Sequence, residues 1–280
     1  MAKKSKAGFF GFIWFLIKTI FKMIYYIFWA IYYMFKSAIF KIKSIVKKTE
    51  IAHEKKEITE QREKMAAKYV NFTIIKNDKG SLSDWENNFY KSDSKIGIIL
   101  GARGSGKTAF GIKMLENAHT KTKKKCYAIG FEENEMPDWI TIVQSASQIV
   151  NDSVVLIDEG GVLFSSRKAM TNANKMLSDL ILISRHKNIS ILFISQNSSN
   201  LDVNIIRQAD FLILKPSSLL QKDFERKVIG DIYDSLQDKF KKYQDTKGLT
   251  YIYSDQFRGF IASPLPSFWK TNISKSFRGK

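Results

Sequence analysis

Eight consecutive residues, Gly101-Ala-Arg-Gly-Ser-Gly-Lys-Thr108, have the types and spacing needed to hold a polyphosphate. The glycines let backbone amides curl round an anion, and a following helix N-terminus adds a favourable dipole. Lys107 is expected to reach the β and γ phosphates, and the Thr108 hydroxyl to ligate Mg2+. The expected ATP-binding segment is therefore Gly101, Ala102, Arg103, Gly104, Ser105, Gly106, Lys107 and Thr108. A second constellation closes the apolar run Ser153 to Ile157 with Asp158-Glu159. An unpaired carboxylate at a buried strand end is costly, so a cation is its natural partner. Asp158 is expected to hold Mg2+ through water, and Glu159 to polarise an attacking water, which favours hydrolysis over transfer to a second substrate. A third run, Ser190 to Ser195, ends in Gln196, placed to sense the γ-phosphate or to position water.

These groups need a scaffold that brings strand ends together. Ile96 to Leu100 reads as a buried strand running straight into the glycine loop, and Ala109 to Ala118 as the helix after it. With Phe211 to Leu214 as a fourth strand, residues 96–214 read βαβαβαβ. That order predicts an α/β fold, a mostly parallel sheet with helices on both faces. Upstream, Val70 to Ile75 reads as a strand and Asn77 to Gly80 as a turn. Downstream, Leu219 to Tyr243 reads as a long amphipathic helix, with Leu249 to Tyr253 and Phe257 to Ile261 as a strand pair. This tail is expected to pack beside the sheet or on a neighbouring subunit.

Composition sets the partners. The chain has 280 residues and a formal net charge of +18, which points to nucleic acid or an anionic membrane surface. One cysteine, Cys126, excludes an intramolecular disulfide and fits a reducing compartment. An aromatic-rich apolar stretch, Gly8 to Phe40, lies among lysines. On a helical wheel Lys18, Lys22, Lys36, Lys43 and Lys47 share a sector with Tyr25, Trp29 and Tyr32. A basic, aromatic stripe beside a broad apolar face suits a helix at a membrane interface. A span from Thr19 to Phe40 is also open if the flanking lysines snorkel. Residues 1–48 are thus expected to form a membrane-associating helix and 49–69 a charged helical linker, with the ATPase core at 70–216 and a helix-and-hairpin extension at 217–280.

The glycine loop, Ile157-Asp-Glu159, Ser184-Arg-His-Lys187 and Ile194-Ser-Gln196 together resemble the FtsK–HerA superfamily, over residues 95–216. That group has RecA/HerA-like folds and includes DNA-pumping motors, viral genome-packaging ATPases and Zot-like proteins. The tail, with Leu265-Pro-Ser-Phe-Trp269 and Ile273-Ser274, is similar to the C-terminal ends of packaging ATPases. The resemblance implies a homo-oligomeric ring, commonly a hexamer, in which an arginine completes a neighbour's site. Arg185 matches best by position, with Arg167, Arg207 and Arg226 as competitors. It also implies a motor translocating DNA through phosphate contacts, with capsid or coat proteins as further partners. The alternative is a Zot-like ATPase driving virion assembly or extrusion. Either reading expects a membrane-associated protein with its ATPase domain in the cytoplasm. Candidate DNA contacts are Lys121-Thr-Lys-Lys-Lys125, which also reads as a solvated loop, and Arg167-Lys168. A GTPase is disfavoured because Asn174-Lys175 continues as Met176-Leu177, without the aspartate of a guanine-reading box.

Overall fold

The computed structural model describes residues 5–63, 65–91, 94–159, 169–218, 221, 223–270 and 273. They divide into two compact units, one ending at Ile58 and one starting at Thr59. The first is helical. Helix α1 runs from Ser5 to Glu63 without a break, so no helix end marks residue 48. Every residue from Trp14 to Glu57 is exposed, including Trp29, Phe35 and Phe40. Among the described residues it is the one helix long and apolar enough to cross a membrane, with an 18-residue window of mean hydropathy 1.4.

The second unit is an α/β layer structure. After α1 come β1 (Thr73–Gly80), α2 (Leu82–Lys91), β2 (Ile96–Leu100), α3 (Lys107–Thr122), β3 (Lys125–Ile129) and β4 (Ile140–Ile142). Then follow β5 (Ser153–Asp158), α4 (Ala169–Lys187), β6 (Ile189–Ile194), α5 (Val203–Arg207), β7 (Phe211–Leu214), α6 (Lys227–Lys242), β8 (Leu249–Ser254) and β9 (Phe257–Ala262). The nine strands form one sheet in the order β1-β9-β8-β7-β2-β6-β5-β3-β4. Strands β2 to β7 are mutually parallel, and β8, β9 and β1 extend the sheet antiparallel from β7. The central parallel strands β2, β5 and β6 are buried on both faces. Along β5, Val154 and Leu156 pack with Phe110, Met114 and Ile194, while Val155 and Ile157 pack with Leu177, Leu180 and Phe193 on the other face. Each such side chain contributes roughly 1.5–3 kcal/mol by leaving water.

Four sequence expectations change. Asn77 to Gly80 is not a turn; it lies inside β1, an exposed strand kept irregular by register shifts after Ile74 and Asn77. Charged, bulged edges of this kind resist further pairing. The βαβαβαβ order gains two strands, β3 and β4, joined through 3-10 turns instead of α-helices among the described residues. The helix expected from Leu219 to Tyr243 is interrupted: Gln221 and Asp223 are helical, Phe224 to Arg226 are not, because Glu225 and Arg226 are tied to the loop after β6, and α6 starts at Lys227. Leu219, Leu220 and Lys222 lie outside the described residues. The C-terminal hairpin is part of the ATPase sheet itself, paired to β7.

Candidate nucleotide site

Strand β2 is central, flanked by β6 and β7, so its carboxyl end faces a crevice between parallel strands. The glycine loop fills that position between β2 and α3. Gly104 and Gly106 adopt φ of +79° and +87°, which other residues rarely take, and a Cβ at Gly104 would meet nothing within 4 Å. The loop is thus an open backbone cradle. The Ser105 hydroxyl is buried beside it with no hydrogen-bond partner among the described residues.

Lys107 opens α3 and is 8% exposed. Its Nζ donates to the carbonyls of Gly101 at 2.6 Å and Ala102 at 2.9 Å, so the ammonium is folded back on its own loop. Burial pushes its pKa below the usual lysine value, while the charges of Asp158, Glu159 and Glu225 pull it back up. Thr108 Oγ1 donates to Asp158 Oδ2 at 3.1 Å. A hydroxyl and a carboxylate oxygen side by side suit a hard cation that prefers oxygen ligands and keeps several waters. Glu159, 4% exposed, accepts at Oε2 from Ser195 Oγ at 2.5 Å and from the Gln196 amide at 3.3 Å. Two donors from the end of β6 therefore fix the orientation of a carboxylate at the end of β5. The P-loop, an oxygen pair and an oriented acid meet at one sheet edge. The chain has the α/β fold of P-loop NTPases.

The resemblance to solved P-loop structures is broad and low in identity. The DNA-packaging ATPase B204 from Sulfolobus turreted icosahedral virus is 16% identical over 62% of this chain and 98% of its own, with a TM-score of 0.38. The genome packaging NTPase B204 from Sulfolobus turreted icosahedral virus 2, in complex with ATP-gammaS, is 18% identical over 62% and 98%, TM-score 0.40. A KaiC-like protein from Pyrococcus horikoshii is 10% identical over 69% of this chain and all of its own, TM-score 0.38. At these values the likeness carries no statement about this chain. No family model matches the chain, and no curated protein matches its sequence.

Other expected site residues of this P-loop protein are placed differently from one another. Arg103 is exposed at the loop's tip. The Gln196 side chain is exposed, and what Gln196 gives the crevice directly is its backbone: its amide to Glu159, its carbonyl to the Gln221 side chain. Arg185 is exposed near the end of α4, just before β6 begins. Because β6 runs parallel to β2, Arg185 lies at the amino edge of the sheet, a strand length (~20 Å) from its own P-loop. Arg207 occupies the same edge, ahead of β7. Arg226 is otherwise engaged: its guanidinium donates to the carbonyls of Ser198 and Leu201 at 3.1 and 2.5 Å. Arg167, Lys168, Gly160 and Gly161 lie outside the described residues.

Three contributors were given no role by the sequence, although Ser195 lies within the Ile194-Ser-Gln196 motif. Ser195 orients Glu159 from a buried strand end, where a serine among aliphatics is itself a signal. Glu225, which acts on Lys107 by charge, accepts from the Ser198 amide at 2.7 Å. Lys215 follows β7, is 1% exposed, and has its pKa lowered to about 7 by burial.

Proposed function

We propose that the chain is a membrane-associated P-loop ATPase that hydrolyses ATP to drive translocation of DNA, as in packaging of a viral or mobile-element genome. The observation that carries the hydrolytic part is the convergence of Lys107, the Thr108–Asp158 pair and the oriented Glu159 at one sheet edge. Bound ATP supplies the scissile phosphoanhydride, and Mg2+ neutralises charge on its oxygens. Lys107 leaves its two loop carbonyls for the phosphates, with Gly101 to Thr108 as the cradle. Thr108, by its hydroxyl, and Asp158, through water, would hold the metal. Glu159 takes the proton of the attacking water, held in line by Ser195 and the Gln196 amide. Gln196 reports on the γ-phosphate.

Two further observations support the motor reading. The amino edge of the sheet gathers exposed Lys121, Lys123 and Lys125 around the start of β3. A basic surface far from the crevice suits phosphate-backbone contact without base reading. Arg185, out of reach of its own P-loop, serves as a finger only in trans, which calls for a ring, commonly a hexamer. The exposed apolar residues of α1 suit lipid, with the ATPase unit in the cytoplasm where ATP is supplied. That same helix equally suits a Zot-like assembly ATPase acting on coat or capsid protein.

The test is ATP hydrolysis by the full chain in lipid nanodiscs, with and without duplex DNA, beside Lys107→Ala. Strong stimulation by DNA, abolished in the variant, is the expected result. Hydrolysis indifferent to DNA moves the assignment to the assembly ATPase. No hydrolysis by a folded oligomer removes the enzyme reading altogether.

A further inference from the structure

A cavity of about 240 Å³ opens between the P-loop at Gly104 to Gly106, the Phe110 ring, and a wall made by Lys215, Gly248 and Ser263 to Leu265. Lys215 is its only buried cation among the described residues, and its hydrogen bonds go only to backbone: Nζ donates to the carbonyls of Gly248 and Leu249, each at 3.2 Å. No carboxylate pairs with it among the described residues, and burial alone accounts for its depressed pKa. Holding a cation in such a place is costly unless further polar groups join it.

The position of Lys215 is fixed from both sides. Its amide donates to Leu100 O at 2.8 Å, and the next residue's carbonyl, Pro216 O, accepts from the Ala102 amide at 2.9 Å. The two segments approach so closely that a Cβ at Gly101 would lie 2.5 Å from that of Lys215. The ammonium therefore stands beside the loop, 3.9 Å from where a Cβ on Gly106 would be, and 5.5 Å from the Phe110 ring centre. One cation, two carbonyls and the apolar surfaces of Phe110, Pro264 and Leu265 are a lining for a sugar and a flat heterocycle, not for a second polyphosphate.

We propose that Lys215, the Gly248 turn and Ser263 to Leu265 form the ribose-and-base wall of the nucleotide site, making the C-terminal hairpin part of nucleotide recognition. This rests on the P-loop reading above. On nucleotide binding the Lys215 ammonium shares its protons with the ribose oxygens, and Leu265 covers the base.

Isothermal titration of the full chain in nanodiscs with Mg-ATP and with Mg-tripolyphosphate separates the two levels. Lys107→Ala loses both ligands. Lys215→Met is expected to weaken ATP about tenfold or more, the scale of one hydrogen bond to a charged group, with tripolyphosphate changed less than about threefold. Leu265→Ala, at a rim position 60% exposed, should weaken ATP a few-fold (~3) and spare tripolyphosphate. Hydrogen exchange on the wild type adds a readout independent of folding in the variants: ATP, but not tripolyphosphate, protects residues 248–249 and 263–265. Unchanged ATP affinity in both variants, equal loss of both ligands in Lys215→Met, or equal protection by both ligands overturns the wall. A wild type that binds neither ligand sinks the nucleotide reading instead.

Discussion

Helix α3 carries a buried lysine beside carboxylates at each of two places along its length, and the two sets behave oppositely. At its start, Lys107 leans on the loop carbonyls of Gly101 and Ala102, with Asp158 and Glu159 near but not bonded to it. Further along, Lys113 Nζ donates to Glu116 Oε2 at 2.7 Å and to Lys68 O at 3.0 Å, with both side chains fully buried. Glu116 also accepts from the amides of Lys68 and Ser267 and from the Ser267 hydroxyl. Asn117 closes the set by pairing both its side-chain groups with Val70. The second network is saturated from within, clipping residues 66–70 and Ser267 onto the P-loop helix. The first has provisional partners that a ligand can replace. On the proposed function, similar residue types thus serve binding at one place and architecture at the other.

The largest separation between the two should appear in rate. Glu159→Gln keeps the hydrogen-bonding shape and removes the base, so hydrolysis should fall by about 10²–10⁴-fold with ATP still bound. Lys107→Ala should lose about 10²–10³-fold through phosphate stabilisation. Neither change should lower the melting temperature by more than a few degrees (~4), since neither breaks a saturated network. A large loss of stability from Glu159→Gln would mean that this site, too, is architecture.

The converse holds at Glu116. Glu116→Ala leaves Lys113 charged and buried without its carboxylate, a loss of roughly 3–5 kcal/mol. The double change Lys113→Met with Glu116→Leu removes both charges and should recover most of that loss. Its hydrolysis per folded molecule should match the wild type. Urea denaturation with parallel rate measurements checks both halves. If the double variant stays as unstable as the single one, the clip on Lys68 and Ser267, more than the ion pair, is what stabilises the helix.

The open set was legible in sequence and the closed one was not. Phosphate binding needs glycines and a lysine at fixed local spacing, and Asp158-Glu159 ends a visible apolar run, so those signals are written within a few residues. Lys113 and Glu116 at i, i+3 look like any solvated helix pair. Their burial arises only because segments 45 and 151 residues away in sequence close over them. Lys215 and Glu225 were hidden for the same reason. The short strands β3 and β4 were missed because one begins inside a lysine run and the other has three residues; both exist through pairing to neighbours. The guanidinium of Arg226, a finger candidate by sequence, is held by the carbonyls of Ser198 and Leu201. Charge type can be read from a chain, but commitment of that charge depends on distant partners.

The change spread most thinly over conditions tests the cavity beside the P-loop by pH. Burial holds the Lys215 pKa near 7 in the folded chain, against 10.5 for the exposed group. Below about pH 7 both states carry the proton, and the full cost of burying the ammonium weighs on the fold. Between about 7 and 10.5 the unfolded chain binds the proton and the folded one does not, so stability rises with pH, by at most about 1.4 kcal/mol per unit. Lys215→Met lacks this titration while other groups are shared. The variant should therefore be the more stable protein at pH 6, and its advantage should shrink steadily toward pH 10. A difference that stays flat across that range would show that Lys215 is already compensated in the free protein. The cavity beside it would then be as closed as the Glu116 network.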